Sequence, residues 1–100
     1  MSISKDKLSD SAATEAARAL PGWSVVEGKL HREYKFPDFT HAFGFLAASA
    51  TVVEKMDHHP EWFNVYSTVR VDLTTHDSGG ITALDVELAK KLEQIAQKLL

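Results

Sequence analysis

The sequence predicts an α+β fold: a four-stranded antiparallel sheet with helices packed on one face, in the order α-ββα-ββα. Three observations carry this prediction. Apolar residues recur at three- and four-residue steps from Phe39 to Val53 and again from Leu84 to Leu99, the spacing of amphipathic helices. Two other stretches, Leu30 to Phe36 and Val69 to His76, alternate with period two, as half-buried strands do. Each of those strands follows a shorter candidate strand after a brief turn, which favours antiparallel pairing, and each helix has one apolar face to bury.

Taken in order, Met1 to Lys7 is polar and is expected to fray. Ser9 or Asp10 caps an alanine-rich helix with Ala12, Ala13, Ala16, Ala17 and Leu20 along one side, and Pro21-Gly22 stops it. Trp23 to Glu27 reads as a strand, Gly28 as a turn, and Lys29 to Phe36 as a second strand. In that strand Leu30, Tyr34 and Phe36 share one face, with His31, Glu33 and Lys35 on the other. Asp38 is the N-cap of the longest helix, whose apolar stripe is Phe39, Phe43, Leu46, Ala50 and Val53. This helix runs to about Asp57, because Pro60 disfavours helical geometry at His59. Trp62 to Tyr66 is the third strand, with a break near Ser67. Thr68 to Thr75 is the fourth, placing Val69, Val71 and Leu73 on one face and Arg70, Asp72, Thr74 and His76 on the other. Ser78-Gly79-Gly80 is a loop, and a last helix carries Leu84, Leu88, Leu92, Ile95 and Leu99 on one side.

One hundred residues without a linker or low-complexity tract read as a single domain over 1–100, large enough for one core. A net charge of −3 and scattered basic residues argue against a direct nucleic-acid binder. No cysteine is present, so thiol catalysis and cysteine metal sites are excluded. No apolar run is long enough to span a bilayer and the start lacks signal-peptide character, so a cytoplasmic protein without membrane partners is expected.

Chemistry concentrates in two short stretches. The run Glu54-Lys55-Met56-Asp57-His58-His59-Pro60-Glu61-Trp62-Phe63-Asn64-Val65-Tyr66 is followed by Thr74-Thr75-His76-Asp77, and together they hold three of the five histidines. Imidazole is the side chain best suited to moving protons near neutral pH. Glu54 precedes His58 by one helical turn, a spacing that orients a ring and fixes its tautomer. If the strand end bearing His76 meets the helix exit, His58, His59 and His76 line one cleft. Singly, these residues have ordinary explanations. A histidine at a helix C-terminus complements the dipole, and one at a strand end is solvated. Thr82 and Asp85 have the spacing of a capping box, and Trp62, Phe63 and Tyr66 read as core or interface aromatics.

As one pattern, Glu-x-x-x-His-His-Pro-x-Trp-x-Asn-x-Tyr followed by Thr-His-x-x-Gly-Gly, the segment from Glu54 to Asp85 resembles the signature of the pterin-4a-carbinolamine dehydratases. Gly22-Trp23, Phe36-x-Asp38-Phe39 and Ala42-Phe43-Gly44-Phe45 also look like family positions, so the resemblance covers about residues 20–97. It implies the same α+β sandwich. By position it makes His58, His59 and His76 the active-site histidines, with Asp57, Thr74, Thr75 and Asp77 contacting the pterin and Glu54 and Asp85 beside the site.

The reaction so implied is loss of water from a 4a-hydroxytetrahydropterin to give the quinonoid dihydropterin. The C4a oxygen needs a proton as the C–O bond breaks, and the N5 proton leaves as the C4a=N5 double bond forms. One imidazolium acid and one imidazole base suffice, with neither metal nor redox cofactor. Such groups contribute about 10²–10⁴-fold each. Within the trio, His58 and His76 are expected to carry the proton transfers and His59 to hold the pterin. The resemblance further implies a homodimer or homotetramer that recycles the pterin of an aromatic amino-acid hydroxylase. Two competing readings remain, the first suggested by the resemblance and the second by the histidines themselves. One is a small oligomeric interaction module of the dimerisation-cofactor or coactivator type, without turnover. The other is a zinc site of His58, His59 and His76, which adjacent histidines disfavour.

Overall fold

The computed structural model describes residues 3–100, so Met1 and Ser2 of the expected fraying segment lie outside the described residues. The order is α1 (Asp10–Arg18), β1 (Ser24–Val26), β2 (Lys29–Lys35), α2 (Phe39–Met56), β3 (Glu61–Val65), β4 (Thr68–Leu73) and α3 (Ala83–Gln97), with a one-turn 3-10 helix over His76–Ser78. The four strands form one antiparallel sheet ordered β1-β2-β4-β3. This is the α+β architecture expected from the sequence.

Local chemistry sets the boundaries. Ser9 caps α1 by accepting from the Ala12 N–H, and Asp38 caps α2 by accepting from His41. The β1–β2 hairpin turns on Glu27 and Gly28, both left-handed, the geometry that matches the twist of a two-residue hairpin. The β3–β4 hairpin turns at Tyr66, also left-handed, and Asn64 Nδ2 braces it by donating to the carbonyls of Tyr66 and Thr68. Far from fraying, Lys7 pairs with Thr82, and the Leu8 N–H donates to the Ile81 carbonyl at 2.8 Å. Backbone groups with no partner in their own segment are thereby satisfied across the chain.

Register puts Leu30, Tyr34, Val69, Val71 and Leu73 on one face, where they are buried against Phe45, Leu88 and Leu92. The opposite face carries cross-strand charge pairs, His31 with Asp72 and Glu33 opposite Arg70. Tyr34, Phe36 and Phe45 form a close aromatic cluster with centroids 5.1–5.6 Å apart.

The expected face of α2 is corrected. The buried stripe is Ala42, Phe45, Ser49 and Val53, whereas Phe43 is 56% exposed and packs on exposed Phe39. The helix is apolar over most of its circumference, so periodicity allowed two stripes. The sheet selects the one whose small residues, Ala42 and Ser49, permit close approach while Phe45 reaches Tyr34 and Phe36.

Glu93 anchors α3 to the first hairpin. Its Oε1 accepts from Tyr34 Oη at 2.5 Å and Trp23 Nε1 at 2.9 Å, and its Oε2 accepts from Gln97. Burial pushes this carboxyl up, but those hydrogen bonds and the Arg32 charge outweigh it and hold it below the ordinary value of 4.5. The stabilisation is therefore complete above the unfolded carboxylate range and is lost as pH falls through the lower folded value. Glu93→Gln is expected to lower neutral-pH stability by about 1–3 kcal/mol. It should also lose less further stability on acidification than the parent, as read by denaturant titration at pH 7 and at acid pH.

Candidate active site

Helix α2 ends at Asp57, whose left-handed backbone (φ 50°) accepts the strain that glycine avoids at such caps. Pro60 then commits the chain to the extended geometry of β3. Between these two fixed points the adjacent histidines diverge. His58 turns inward, its side chain only 11% exposed, while His59 turns outward.

His58 meets α3. Its Nε2 lies 2.5 Å from Asp85 Oδ1, and Asp85 is fully buried. The other oxygen, Oδ2, accepts from the Thr82 N–H at 2.9 Å and from Thr75 Oγ1 at 2.8 Å. Thr75 Oγ1 is in turn 2.8 Å from Thr82 Oγ1, which accepts from the Leu84 N–H. A carboxylate is an acceptor throughout, so the proton between it and the ring resides on His58 Nε2. Nδ1 remains as the ring nitrogen able to exchange a proton with a bound molecule.

The expected Glu54–His58 pair does not form. Glu54 lies 3.4 Å from His59 Nε2 at the surface, since the left-handed turn at Asp57 rotates His58 off the helix face. Strand β4 is also shorter than expected, ending at Leu73. Paired backbone contacts between Thr75 and Gly80 close the loop, and His76 opens the 3-10 turn. His76 is 79% exposed and its Nε2 lies 3.4 Å from Glu61 Oε2.

The structure nevertheless brings the expected residues together. Asp57, His58, His59, Thr74, Thr75, His76 and Asp77 all line one cavity of about 340 Å³, with Lys5 and Leu84 completing it. That volume lies in the range of small-molecule sites, about 300–1,000 Å³. Thr75 faces this cavity with its hydroxyl already committed to Asp85 and Thr82. Lys5 carried no signal in the sequence. It arrives because the N-terminal segment docks on the loop before α3, where the Ser78 hydroxyl donates to the Lys5 carbonyl. From spacing alone Asp85 read as a cap, and the resemblance set it beside the site. The capping role is real, and the same carboxylate also grips His58. Among the described residues, no three histidine, aspartate or glutamate side chains converge as a metal ion requires.

The family profile described as pterin 4 alpha carbinolamine dehydratase matches residues 6–95. The chain belongs to that family. It is 60% identical over 90 residues to a protein of Solibacter usitatus (strain Ellin6076) named provisionally as a pterin-4-alpha-carbinolamine dehydratase, covering 90% of this chain and 95% of that one. A crystal structure described as a transcriptional coactivator/pterin dehydratase from Brucella melitensis superposes with a TM-score of 0.87 at 49% identity, over 91% of this chain and 99% of that one. A pterin dehydratase-like protein identified as a RuBisCO assembly factor in the alpha-carboxysome shares the fold alone, with a TM-score of 0.60 at 20% identity over 68% of this chain and 79% of that one.

The buried network yields a direct test. Asp85→Asn places an amide where three donors converge, and is expected to cost about 1–3 kcal/mol in denaturant unfolding. In ¹H–¹⁵N spectra of the imidazoles, His58 should be a fixed Nε2–H tautomer in the parent and lose that preference in the variant. An unchanged tautomer together with unchanged stability in the variant would dismiss the Asp85 grip.

Proposed function

We propose that this chain dehydrates a 4a-hydroxytetrahydropterin to the quinonoid dihydropterin by histidine acid/base catalysis. The observation that carries the reading is the single cavity on which His58, His59 and His76 converge, with His58 locked by a buried carboxylate. In this reading His58 exchanges its proton through Nδ1, His76 serves the other edge of the pterin, and His59 holds the ring system. Asp57, Thr74 and Asp77 contact the substrate. Thr75 contributes chiefly by supporting Asp85, because its hydroxyl is already engaged. The product returns to an aromatic amino-acid hydroxylase in the cytoplasm.

Rate enhancement comes from positioned proton transfer, with no step that calls for a metal or redox group. Protonation of the departing 4a-oxygen and removal of the N5 proton occur at separate atoms, so two rings on different elements suit the task. Among the described residues no helix is long and apolar enough to cross a membrane, which fits a small-molecule enzyme working in water.

A second reading has its own support. Phe39 and Phe43 form an exposed aromatic pair on α2, and edge strand β3 exposes Phe63 and Val65. These surfaces suit assembly into a homodimer or homotetramer and, as the Brucella coactivator/dehydratase description suggests for that protein, an interaction role. Assembly and turnover are compatible, and the histidine cavity makes turnover the primary proposal.

The deciding measurement is stopped-flow absorbance of 4a-hydroxytetrahydropterin generated in place, with and without the protein. Acceleration is expected, surviving exhaustive chelation and falling about 10²–10⁴-fold in His58→Ala and in His76→Ala. A rate equal to the spontaneous one would transfer the proposal to the interaction module.

A further inference from the structure

Glu61, the first residue of β3, joins the open face of the sheet to the histidine cavity. Its side chain points to that face, because Glu61 pairs with Asp72, which pairs with His31 in the next strand. Oε1 accepts from Lys29 Nζ at 2.6 Å, and Oε2 lies 3.4 Å from His76 Nε2. Strand β4 separates β2 from β3, so Lys29 reaches its partner across the C-terminal end of β4. One carboxylate is thus shared between a permanent cation and a titrating ring. Lys29 above all, and then His76, hold the Glu61 carboxyl below its ordinary range.

Resting on the dehydratase reading, we propose that Glu61 is a positioning residue for His76, holding its Nε2 beside the cavity, with Lys29 setting how strongly it does so. The arrangement repeats at the surface what Asp85 does for His58 in the interior: a carboxylate lies against Nε2 and not against Nδ1. The two carboxylates differ in reserve. Asp85 is saturated by buried donors, whereas the charge of Glu61 is divided with Lys29, so its hold on His76 is adjustable. The other charged groups facing His76 are Asp77 on its own turn, Asp57 and His59 from the turn after α2, and Lys5 from the N-terminal segment. None of these bridges to Lys29, so substitutions at Lys29 and Glu61 act on His76 with opposite sign. Removing the carboxylate weakens the imidazolium. Removing the ammonium takes away a neighbouring positive charge and frees the carboxylate for the ring.

The test is a ¹H NMR titration of the His76 ring, assigned by its disappearance in His76→Gln, in the parent, Glu61→Gln and Lys29→Met. The His76 midpoint should fall by about 0.2–0.7 pH unit in Glu61→Gln, the range for an exposed ion pair, and rise in Lys29→Met. The limb of the kcat/KM pH profile governed by His76 should move in the same two directions. Unchanged midpoints, or shifts of the same sign, overturn the proposal, even if dehydration is fully accelerated. Opposite shifts in a protein that accelerates nothing sustain the Glu61–His76 coupling and instead remove the dehydratase reading on which its catalytic meaning rests.

Discussion

The carboxylate of Asp85 is fully buried, yet it is met by donors from three places: the Thr82 N–H at the start of α3, the Thr75 hydroxyl just beyond β4, and His58 just beyond α2. A buried charge without such partners would be untenable, and with them it becomes a fixed point to which each element end must be delivered. The rest of the site follows from this constraint. Once Thr75 is pinned, the 3-10 turn carrying His76 has a defined origin; once His58 is pinned, the turn through His59 and Pro60 has one as well. The cavity is the space left between three element ends that meet at one carboxylate.

This explains why the sequence pattern is long. Several of its members support the site without lining the cavity. Pro60 starts β3 and Asn64 holds the β3–β4 turn around left-handed Tyr66, while Trp62 sits opposite Val71 against the core. The register of β4 against β3 decides where His76 emerges relative to Glu61, so turn chemistry eight or more residues away bears on the placement of an imidazole. Functional and structural residues alternate along one hairpin and cannot be separated by inspection of the motif alone.

The sheet and the faces of β2, β4 and α3 were legible in the residues because their apolar period is unambiguous, as Leu30, Tyr34, Val69, Val71 and Leu73 show. Helix α2 was legible in extent and cap but not in orientation. Its apolar residues nearly encircle it, and only the fit of Phe45 among Tyr34 and Phe36 chooses a face. The gathering of the site residues on one cavity could be anticipated from the pattern, but their partners could not. Glu54 was assigned to His58 by helical spacing, a rule that fails where Asp57 adopts a left-handed conformation and the helix stops. By spacing Asp85 read as a capping residue, and the resemblance placed it beside the site without naming its partner. Its second bond spans 27 residues, and no local rule reports such a contact. Lys5 had no signal at all, since its place depends on a backbone bridge between Lys7 and Thr82.

The three imidazoles are therefore unequal before any substrate arrives. His58 has little orientational freedom left to lose, while His59 and His76 remain largely hydrated and held by single surface carboxylates, Glu54 and Glu61. A flat ligand entering the cavity would strip water from those two rings and from their carboxylates together. Lower local polarity strengthens the attraction between imidazolium and carboxylate while disfavouring an isolated charged ring. Glu54 and Glu61 differ in their neighbours, because Lys29 competes for Glu61. On the proposed reading, the division of acid and base between His58 and His76 would then rest less on the rings, which are chemically identical, than on what stands behind each: a buried Asp85 saturated by donors, and an exposed Glu61 shared with Lys29.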